Sequence, residues 1–239
     1  DLQKQGITTL EDFSRQVAGL NVQTTVPGQN TIVFRGVSDG GGFLVDPTAA
    51  IYLDEQPMSL TSAAPDIYPV DLARIEALAG PQSTLYGASS QSGAIRVITN
   101  KPDPSAFDAN IGAGVSSTSN GGTGYEVDGM VNIPLSDNVA IRLAGFSARD
   151  AGFIDIVLGT TVDAGTGFPG LAGLGGGATN ASAVADDINE TDWMGARASI
   201  RWLVNDNWTV TGSVNYQDVE SDAYNDYDPA LGDLQTIKF

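Results

Sequence analysis

The sequence predicts an α+β domain followed by antiparallel strands of a transmembrane β-barrel. The first hundred residues combine a helical stripe of apolar side chains with short strand candidates between glycine and proline loops. After residue 105, apolar and polar side chains alternate in five successive segments, as they do in half-buried antiparallel strands. Very short turns join some of these segments and long loops join others, which is typical of outer-membrane barrels. We therefore expect an α+β domain at residues 1–105 and barrel strands at 106–239.

Composition excludes several classes of activity. The chain has 239 residues with no Cys and no His, which removes thiol chemistry, disulfides, histidine metal ligands and Ser-His-Asp catalysis. Its net charge of −18 leaves no basic patch for phosphates, so we expect no nucleic-acid partner. Acidic pairs such as Asp54-Glu55 and Asp186-Asp187 are interpreted as solvated loop charges rather than acid–base catalysts. The sequence therefore predicts that the protein is not an enzyme.

The α+β part opens with a predicted helix at residues 8–19. Leu10, Phe13 and Val17 lie on one helical face. Thr8 and Glu11 fit a capping box, and Gly19 is a suitable C-terminal stop. Strand candidates follow at residues 20–24, 31–35, 50–53 and 94–99. Residues 71–78 fit either a helix or a strand, because their apolar positions satisfy both spacings.

The barrel part consists of alternating segments at residues 107–115, 125–135, 139–145, 194–204 and 208–217. A tilted strand needs about 9–11 residues to cross a bilayer, whereas the strands of soluble sheets are usually shorter. Trp202 and Trp208 flank a short turn, where an aromatic belt would lie. We expect one set of side chains to face lipid, namely Ile111, Val127, Ile141, Ile200 and Val210, and the other the lumen, namely Asn110, Asp128, Arg142, Arg201 and Thr211. On pattern alone, a soluble β-sandwich stays open as the alternative.

Four segments carry a resemblance to a known family. They read ITTLEDFSRQVAGLNVQ from residue 7, TIVFRGV from 31, IYLDEQP from 51, and RIEALAGPQSTLYGASSQSGAIRVITNKP from 74. In this order and spacing they resemble the plug-domain motifs of TonB-dependent outer-membrane receptors. The resemblance implies a plug followed by the first strands of a 22-stranded barrel. We accordingly expect a fragment of a longer chain, without the upstream segment that contacts TonB.

The sequence departs from the family pattern in the plug. Glu55 stands where a glycine is usual, and Ala79 stands where the family carries the second of two plug arginines. The first arginine is retained as Arg35. The resemblance implies that Arg35 contacts the barrel wall, and we expect the same of Tyr86 in the glycine-punctuated turn. Leu85 and Tyr86 are expected to supply packing area there.

The resemblance also implies a function. It implies TonB-driven uptake of a scarce nutrient, with a ferric siderophore or similar iron complex favoured, across the outer membrane of a Gram-negative bacterium. The expected partners are the TonB complex, lipid and lipopolysaccharide, and an external small-molecule ligand. The alternatives are a non-transporting barrel, such as an adhesin or passive porin, and a soluble β-rich binding module.

Ligand contacts are expected on the outward loops of the plug, at residues 24–30, 37–47 and 58–66. The candidate side chains are Asp39, Phe43, Asp46, Ser59 and Ser62. Residues 150–191 and those after 218 are rich in acids, and a mouth of one charge sign disfavours strongly anionic ligands. No cofactor or metal is expected, with loop-bound calcium kept as an alternative at Glu220, Asp222, Asp226 and Asp228.

Overall fold

A computed structural model describes residues 9–38, 47–58, 64–87, 89–156, 184–221 and 237–238. The chain forms two compact units. The first, which we call the plug–wall unit, comprises residues 1–112, 128–146 and 195–217. The second, the loop unit, comprises residues 113–127, 147–194 and 218–239. The domain boundary expected at residue 105 stays a prediction, because these units follow contacts in space rather than a single cut in the chain.

The plug begins with a short helix, α1 (Leu10–Ser14). Thr9 is its N-cap: the Thr9 hydroxyl accepts a hydrogen bond from the backbone N–H of Asp12 at 3.1 Å and donates one to the Asp12 carboxylate at 3.0 Å. The predicted capping pair of Thr8 and Glu11 is therefore wrong by one residue. The helix also ends well before Gly19, whose φ of 79° instead turns the chain into the first strand.

The first plug sheet contains β1 (Leu20–Val26), β2 (Gln29–Phe34) and β5 (Ala64–Pro65), in the order β1-β2-β5. β1 and β2 form an antiparallel hairpin around Gly28, whose φ is 77°. The loop predicted at residues 24–30 is therefore shorter than expected, since only residues 27 and 28 lie between the two strands, and its contact with ligand stays a prediction. Leu20↔Phe34 and Val22↔Ile32 pair across it and direct their side chains into the core.

The second plug sheet has the order β4-β3-β7-β6. Its strands are β3 (Ala49–Leu53), β4 (Gln56–Pro57), β6 (Leu72–Ala79) and β7 (Gly93–Thr99). β3 and β7 are parallel, while β6 pairs antiparallel with β7 and so settles the ambiguous segment as a strand. The turn between β6 and β7 contains a short helix, α2 (Ser83–Tyr86), which the sequence analysis missed.

One hydrophobic core holds the plug together. Its buried members come from α1 and from both sheets, and they are Leu10, Leu20, Val22, Ile32, Phe34, Ala49, Ile51, Ala64, Ile95 and Val97. Gly93 is required at the start of β7, because a Cβ there would lie 2.5 Å from the Phe34 ring and 2.6 Å from the Leu78 carbonyl oxygen. The plug therefore folds around a core of its own.

The wall is a five-stranded sheet in the order β13-β12-β10-β9-β8. Its strands are β8 (Asp108–Ser117), β9 (Thr123–Ser136), β10 (Val139–Asp150), β12 (Thr191–Asn205) and β13 (Trp208–Ser221). Each predicted strand is confirmed, and most extend beyond the predicted bounds. Short turns connect β9 to β10 and β12 to β13, so these neighbours run antiparallel. No helix in the described ranges has both the length and the hydrophobicity to cross a membrane.

The faces of the wall follow the predicted alternation. Ile111, Ile200 and Val210 are exposed. Arg142 and Arg197, on the opposite face, are only 8% exposed and lie against the plug. The apolar face is thus outward and the polar face inward, as the period of two requires.

The loop unit has a small framework of its own. β11 (Asp155–Ile156) pairs antiparallel with β14 (Ile237–Lys238). The Asn189 side-chain oxygen accepts hydrogen bonds from the backbone N–H groups of Phe153 at 2.7 Å and Ile154 at 2.9 Å. Arg149 donates two hydrogen bonds of 2.6 Å to the Asp192 carboxylate. These contacts order the base of the long connection between β10 and β12.

Candidate functional site: the plug anchor on the wall

The plug is tied to the wall through the carboxylate of Asp71, which directly precedes β6. One carboxylate oxygen accepts from Arg142 Nη2 at 2.6 Å and from Asn100 Nδ2 at 2.8 Å. The other accepts from Arg142 Nε at 2.8 Å and from Arg197 Nη2 at 2.9 Å. The Asp71 side chain is only 3% exposed. We call Asp71, Arg142, Arg197 and Asn100 the anchor cluster.

The two arginines of the anchor cluster come from neighbouring wall strands. Arg142 lies on β10 and Arg197 on β12, and their side chains are 9% and 8% exposed. Arg197 also donates to the Asp71 backbone carbonyl at 2.9 Å. Buried charges are tolerated only when they are paired and hydrogen-bonded. Here the carboxylate and the backbone carbonyl of Asp71 accept hydrogen bonds from the two arginines. Because β10 and β12 are neighbours in the wall sheet, their two arginines reach the same plug carboxylate, that of Asp71.

Opposing effects act on the pKa of Asp71. Burial raises the pKa of this carboxyl, because it penalises the charged form. Hydrogen bonds from Arg142 and Asn100, with the positive charges of both arginines, outweigh that effect and hold the pKa below its ordinary value. The Asp71 carboxyl is therefore ionised at neutral pH.

A second tie fixes residues 103–106, which we call the linker between plug and wall. Asn132 on β9 is 1% exposed. Its side-chain oxygen accepts from the Asp103 N–H at 2.9 Å, and its Nδ2 donates to the carbonyls of Asp103 at 2.8 Å and Ala106 at 2.7 Å. One amide side chain thus holds the linker to the wall at both of its ends.

A third tie involves β13. Gln217 Nε2 donates to the Asp66 carbonyl at 2.6 Å, and Gln217 Oε1 accepts from the Tyr68 N–H at 3.0 Å. The Tyr68 ring stacks on Phe146 of β10, with centroids 4.2 Å apart and planes 6° from parallel. The plug segment before β6 is therefore held from two different wall strands.

A second charged group lies on the plug alone, around Arg96 of β7. Its guanidinium bonds Glu76 of β6 at 2.8 Å and Glu55 at 2.9 Å, and Glu76 also pairs with Arg74 at 2.6 Å. Glu55, which departs from the family pattern, is thus one of two carboxylate partners of Arg96. The hydrogen bond from Arg74 is the largest effect on Glu76 and lowers its pKa, with Arg96 assisting. We call these four residues the surface cluster.

Arg35 and Tyr86, the predicted plug–barrel contacts, make contacts within the plug. Arg35 has φ 51° and is exposed, and its backbone N–H bonds the Gly19 carbonyl at 2.6 Å. Tyr86 accepts a hydrogen bond from the Tyr52 hydroxyl on its backbone oxygen, and its ring lies edge-on to that of Tyr52 at 5.1 Å. Their contact with the barrel wall stays a prediction. Leu85, expected to pack, is instead 81% exposed because α2 projects it away from the core.

The predicted ligand contacts lie outside the described residues. This applies to Asp39, Phe43, Asp46, Ser59 and Ser62, and equally to Asp222, Asp226 and Asp228 of the calcium alternative. Glu220 is described and exposed. Within the described ranges no group of three or more acidic side chains is arranged to hold a metal ion. Calcium binding stays a prediction.

The sequence indicated part of the anchor cluster but not its central residue, Asp71. It placed Arg142 and Arg201 on the inward face, and Arg201 Nη1 lies 3.5 Å from the Pro102 carbonyl oxygen. It missed Asp71, which reads as an ordinary acid before an apolar stretch. The available signal was the presence of arginines on the inward wall face, since buried cations require an anionic partner.

Comparisons with known proteins agree with this architecture. Residues 1–94 match the family described as TonB-dependent Receptor Plug Domain. The pesticin receptor of Yersinia pestis is 33% identical over 136 residues, which is 55% of this chain and 19% of the relative. The ferrioxamine B receptor of Salmonella typhimurium is 36% identical over 121 residues, 48% of this chain and 16% of the relative. The chain therefore spans less than a fifth of these relatives.

Solved structures show the same fold. The ferric yersiniabactin uptake receptor from Yersinia pestis aligns with a TM-score of 0.68 at 24% identity, over 93% of this chain and 31% of that one. The pyoverdine receptor of Pseudomonas aeruginosa aligns with a TM-score of 0.61 at 17% identity, over 90% of this chain and 26% of that one. Such receptors reside in the outer membrane of Gram-negative bacteria, and they are transport proteins rather than enzymes. Residues 1–94 therefore match a TonB-dependent receptor plug domain, and the fold of the chain is similar to the plug domain and first barrel strands of the ferric yersiniabactin uptake receptor.

Proposed function

We propose that the receptor containing this segment imports a ferric siderophore across the outer membrane, driven by TonB. The observation that carries the proposal is a plug with its own core, tied to the inward wall face mainly by side-chain hydrogen bonds and ion pairs. Relatives named for pesticin and for ferrioxamine B support it. In this proposal the chain binds the siderophore and its plug moves, and no covalent chemistry takes place.

The polar character of the ties suits a plug that must shift during each transport cycle. A hydrogen bond contributes only about 0.5–1.5 kcal/mol net, because water replaces the lost partner. The anchor cluster is stronger while dry, but water entering beside Asp71 raises the local dielectric and weakens the attraction to Arg142 and Arg197. We therefore expect the force needed to move the plug from the periplasmic side to fall sharply once water reaches the anchor cluster.

The negative charge of residues 150–239 limits the class of iron chelate that we propose. Residues 150–239 hold 14 acids and 3 bases. In the loop unit the described acids include Asp155, Asp186, Asp187 and Glu190, and Arg149 is already paired with Asp192. A field of this sign repels a trianionic tris-catecholate iron complex and favours neutral or cationic chelates. We propose a hydroxamate-type or other weakly charged chelate.

Uptake of radiolabelled iron chelates tests this function. The complete receptor is expressed in cells that lack their own siderophore receptors, with and without TonB. A neutral or cationic hydroxamate complex should accumulate only in the TonB-containing cells, and a tris-catecholate complex should not. Equal uptake without TonB would instead indicate a passive porin, and no uptake of any chelate would contradict iron transport.

We further propose Asp39, Phe43, Asp46, Ser59 and Ser62 as ligand contacts on the plug. Deleting residues 37–42 should lower chelate uptake while outer-membrane expression is unchanged. Unchanged uptake would remove this loop from the ligand surface.

Calcium is the remaining proposal for the loops. It should order residues 220–228 without being required for folding, since Glu220 and its acidic neighbours provide carboxylate oxygens. Proteolysis with calcium and with chelator measures the protection. Identical cleavage in both would leave only solvated acidic loops.

A further inference from the structure

Plug and wall border an open cavity beside β13, and its lining contains no residue of the anchor cluster. Its volume is about 690 Å³. The plug side is formed by the β3–β4 hairpin, including Asp54, Glu55 and Gln56, and the wall side by Thr211, Ser213 and Asn215. We call this space the β13 groove. Its volume is comparable to that of ligand pockets, which hold about 300–1,000 Å³.

The wall side of the groove is a ladder of neutral hydrogen-bonding groups. Thr211, Ser213 and Asn215 alternate with the outward Val210, Val214 and Tyr216, so they share one face of β13. Gln217 at the end of this row bonds the plug. Thr211, Ser213 and Asn215 make no side-chain hydrogen bond to other described residues, and all three are exposed and line the groove. They are available to a solute.

The plug side of the groove carries charges that are already compensated. Asp54 accepts from the Thr99 backbone N–H and hydroxyl and pairs with Lys101 at 2.6 Å. Burial raises the pKa of Asp54, but these hydrogen bonds outweigh burial and hold the pKa below its ordinary value. Glu55 is paired with Arg96. The groove therefore offers polar contacts without a strong field of one sign.

A second cavity between plug and wall is a poorer passage. Its volume is about 490 Å³, and it is lined by Asp71, Asp103, Asp108, Asp128 and Arg142. Passing a solute through it would require separating the buried Arg142–Asp71 pair. The β13 groove needs no such step, because its plug wall is a hairpin whose outer strand β4 has only two residues.

We propose that the β13 groove is the binding track along which the solute passes the plug, and that it accepts a polar, weakly charged metal chelate through hydroxyl and amide hydrogen bonds. The inference rests on the proposed uptake function and adds its route. It assigns Ser213, at the centre of the ladder, as a residue that contacts the solute in transit.

Cysteine substitution tests the route, since this chain has no cysteine of its own. Ser213→Cys and Val214→Cys are compared in the complete receptor; they are adjacent on β13 but face the groove and the outside respectively. Each is treated with a small charged thiosulfonate reagent and assayed for uptake and surface binding of a radiolabelled ferric hydroxamate. Modified Ser213→Cys should lose uptake about tenfold, with surface binding retained, and a reducing agent should restore it. Val214→Cys should be unaffected.

A bulky pair of variants provides a second readout. Ser213→Trp should reduce uptake like the modified cysteine, whereas Val214→Trp should transport normally because tryptophan is tolerated on an outward wall face. Wild-type uptake in both Ser213 variants, or equal loss in both Val214 variants, would overturn the route. Absence of uptake by the wild-type receptor would instead contradict the proposed function.

Discussion

The anchor cluster and the surface cluster contain similar groups in different surroundings. Both place carboxylates and arginines within 2.6–2.9 Å of each other. In the anchor cluster the Asp71 side chain is 3% exposed, whereas the Glu55 side chain of the surface cluster is 87% exposed. Water screens the second group and is excluded from the first. At similar distances, burial therefore makes the ion pairs of the anchor cluster the stronger ones.

Removing the central carboxylate should have the largest effect. Asp71→Ala leaves two buried guanidinium groups without their anion and should destabilise the docked plug by about 3–5 kcal/mol. Urea titration of the complete receptor, with protease cleavage of the plug as readout, measures this loss. Glu76→Ala, on β6 five residues after Asp71 but in the surface cluster, is the matched control and should change little. Equal effects would show that burial is not the deciding factor.

Acid titration should release the same anchor. The pKa of Asp71 is lowered in the folded state from an ordinary value of 3.8. A depressed carboxyl pKa contributes stability that is fully present above the ordinary value and is lost as pH falls through the folded value. We therefore expect the contribution of Asp71 to plug docking to be constant from pH 7 to about 5 and to fall below about pH 4.

Asp71→Asn isolates that contribution. The substitution removes the titrating group, so part of the acid-dependent loss seen in the wild type should disappear. The measurement is protease sensitivity of the plug in buffers of decreasing pH. An identical acid profile in the two proteins would mean that other carboxyl groups govern release.

Asn132 tests whether a buried neutral group can replace charge in such a tie. Asn132→Ala leaves the Asp103 N–H and two linker carbonyls without their partner, at a cost of about 1–3 kcal/mol. The same urea titration reports it, and Asn110→Ala serves as control, because Asn110 on the inward face of β8 is solvent-exposed rather than buried. A loss no greater than that of Asn110→Ala would mean that solvent satisfies the linker.

The smallest effect is expected at Glu55. Glu55→Gln removes the charge opposite Arg96 but leaves Arg96 paired with Glu76. Exposed ion pairs contribute about 0–1 kcal/mol, so plug stability should fall by less than about 1 kcal/mol and should respond to salt. A larger, salt-independent loss would place this pair with the buried anchor.

The sequence by itself determined the wall and the order of its strands. Alternation with a period of two assigned Ile200 outward and Arg142 inward, because successive side chains of a strand must point to opposite faces. Ordered motifs likewise identified the plug. Local sequence patterns were enough to predict the structure wherever the apolar residues followed a single periodicity.

Tertiary structure decided the rest. Residues 72–79 became a strand because β7 offered an antiparallel edge, although their apolar spacing also fitted a helix. Asp71 acquired its role only when β10 and β12 brought Arg142 and Arg197 to it across 71 and 126 residues of chain. The strength of such an ion pair depends on the water excluded around it, and that exclusion is a property of the assembled plug and wall rather than of any local stretch of sequence.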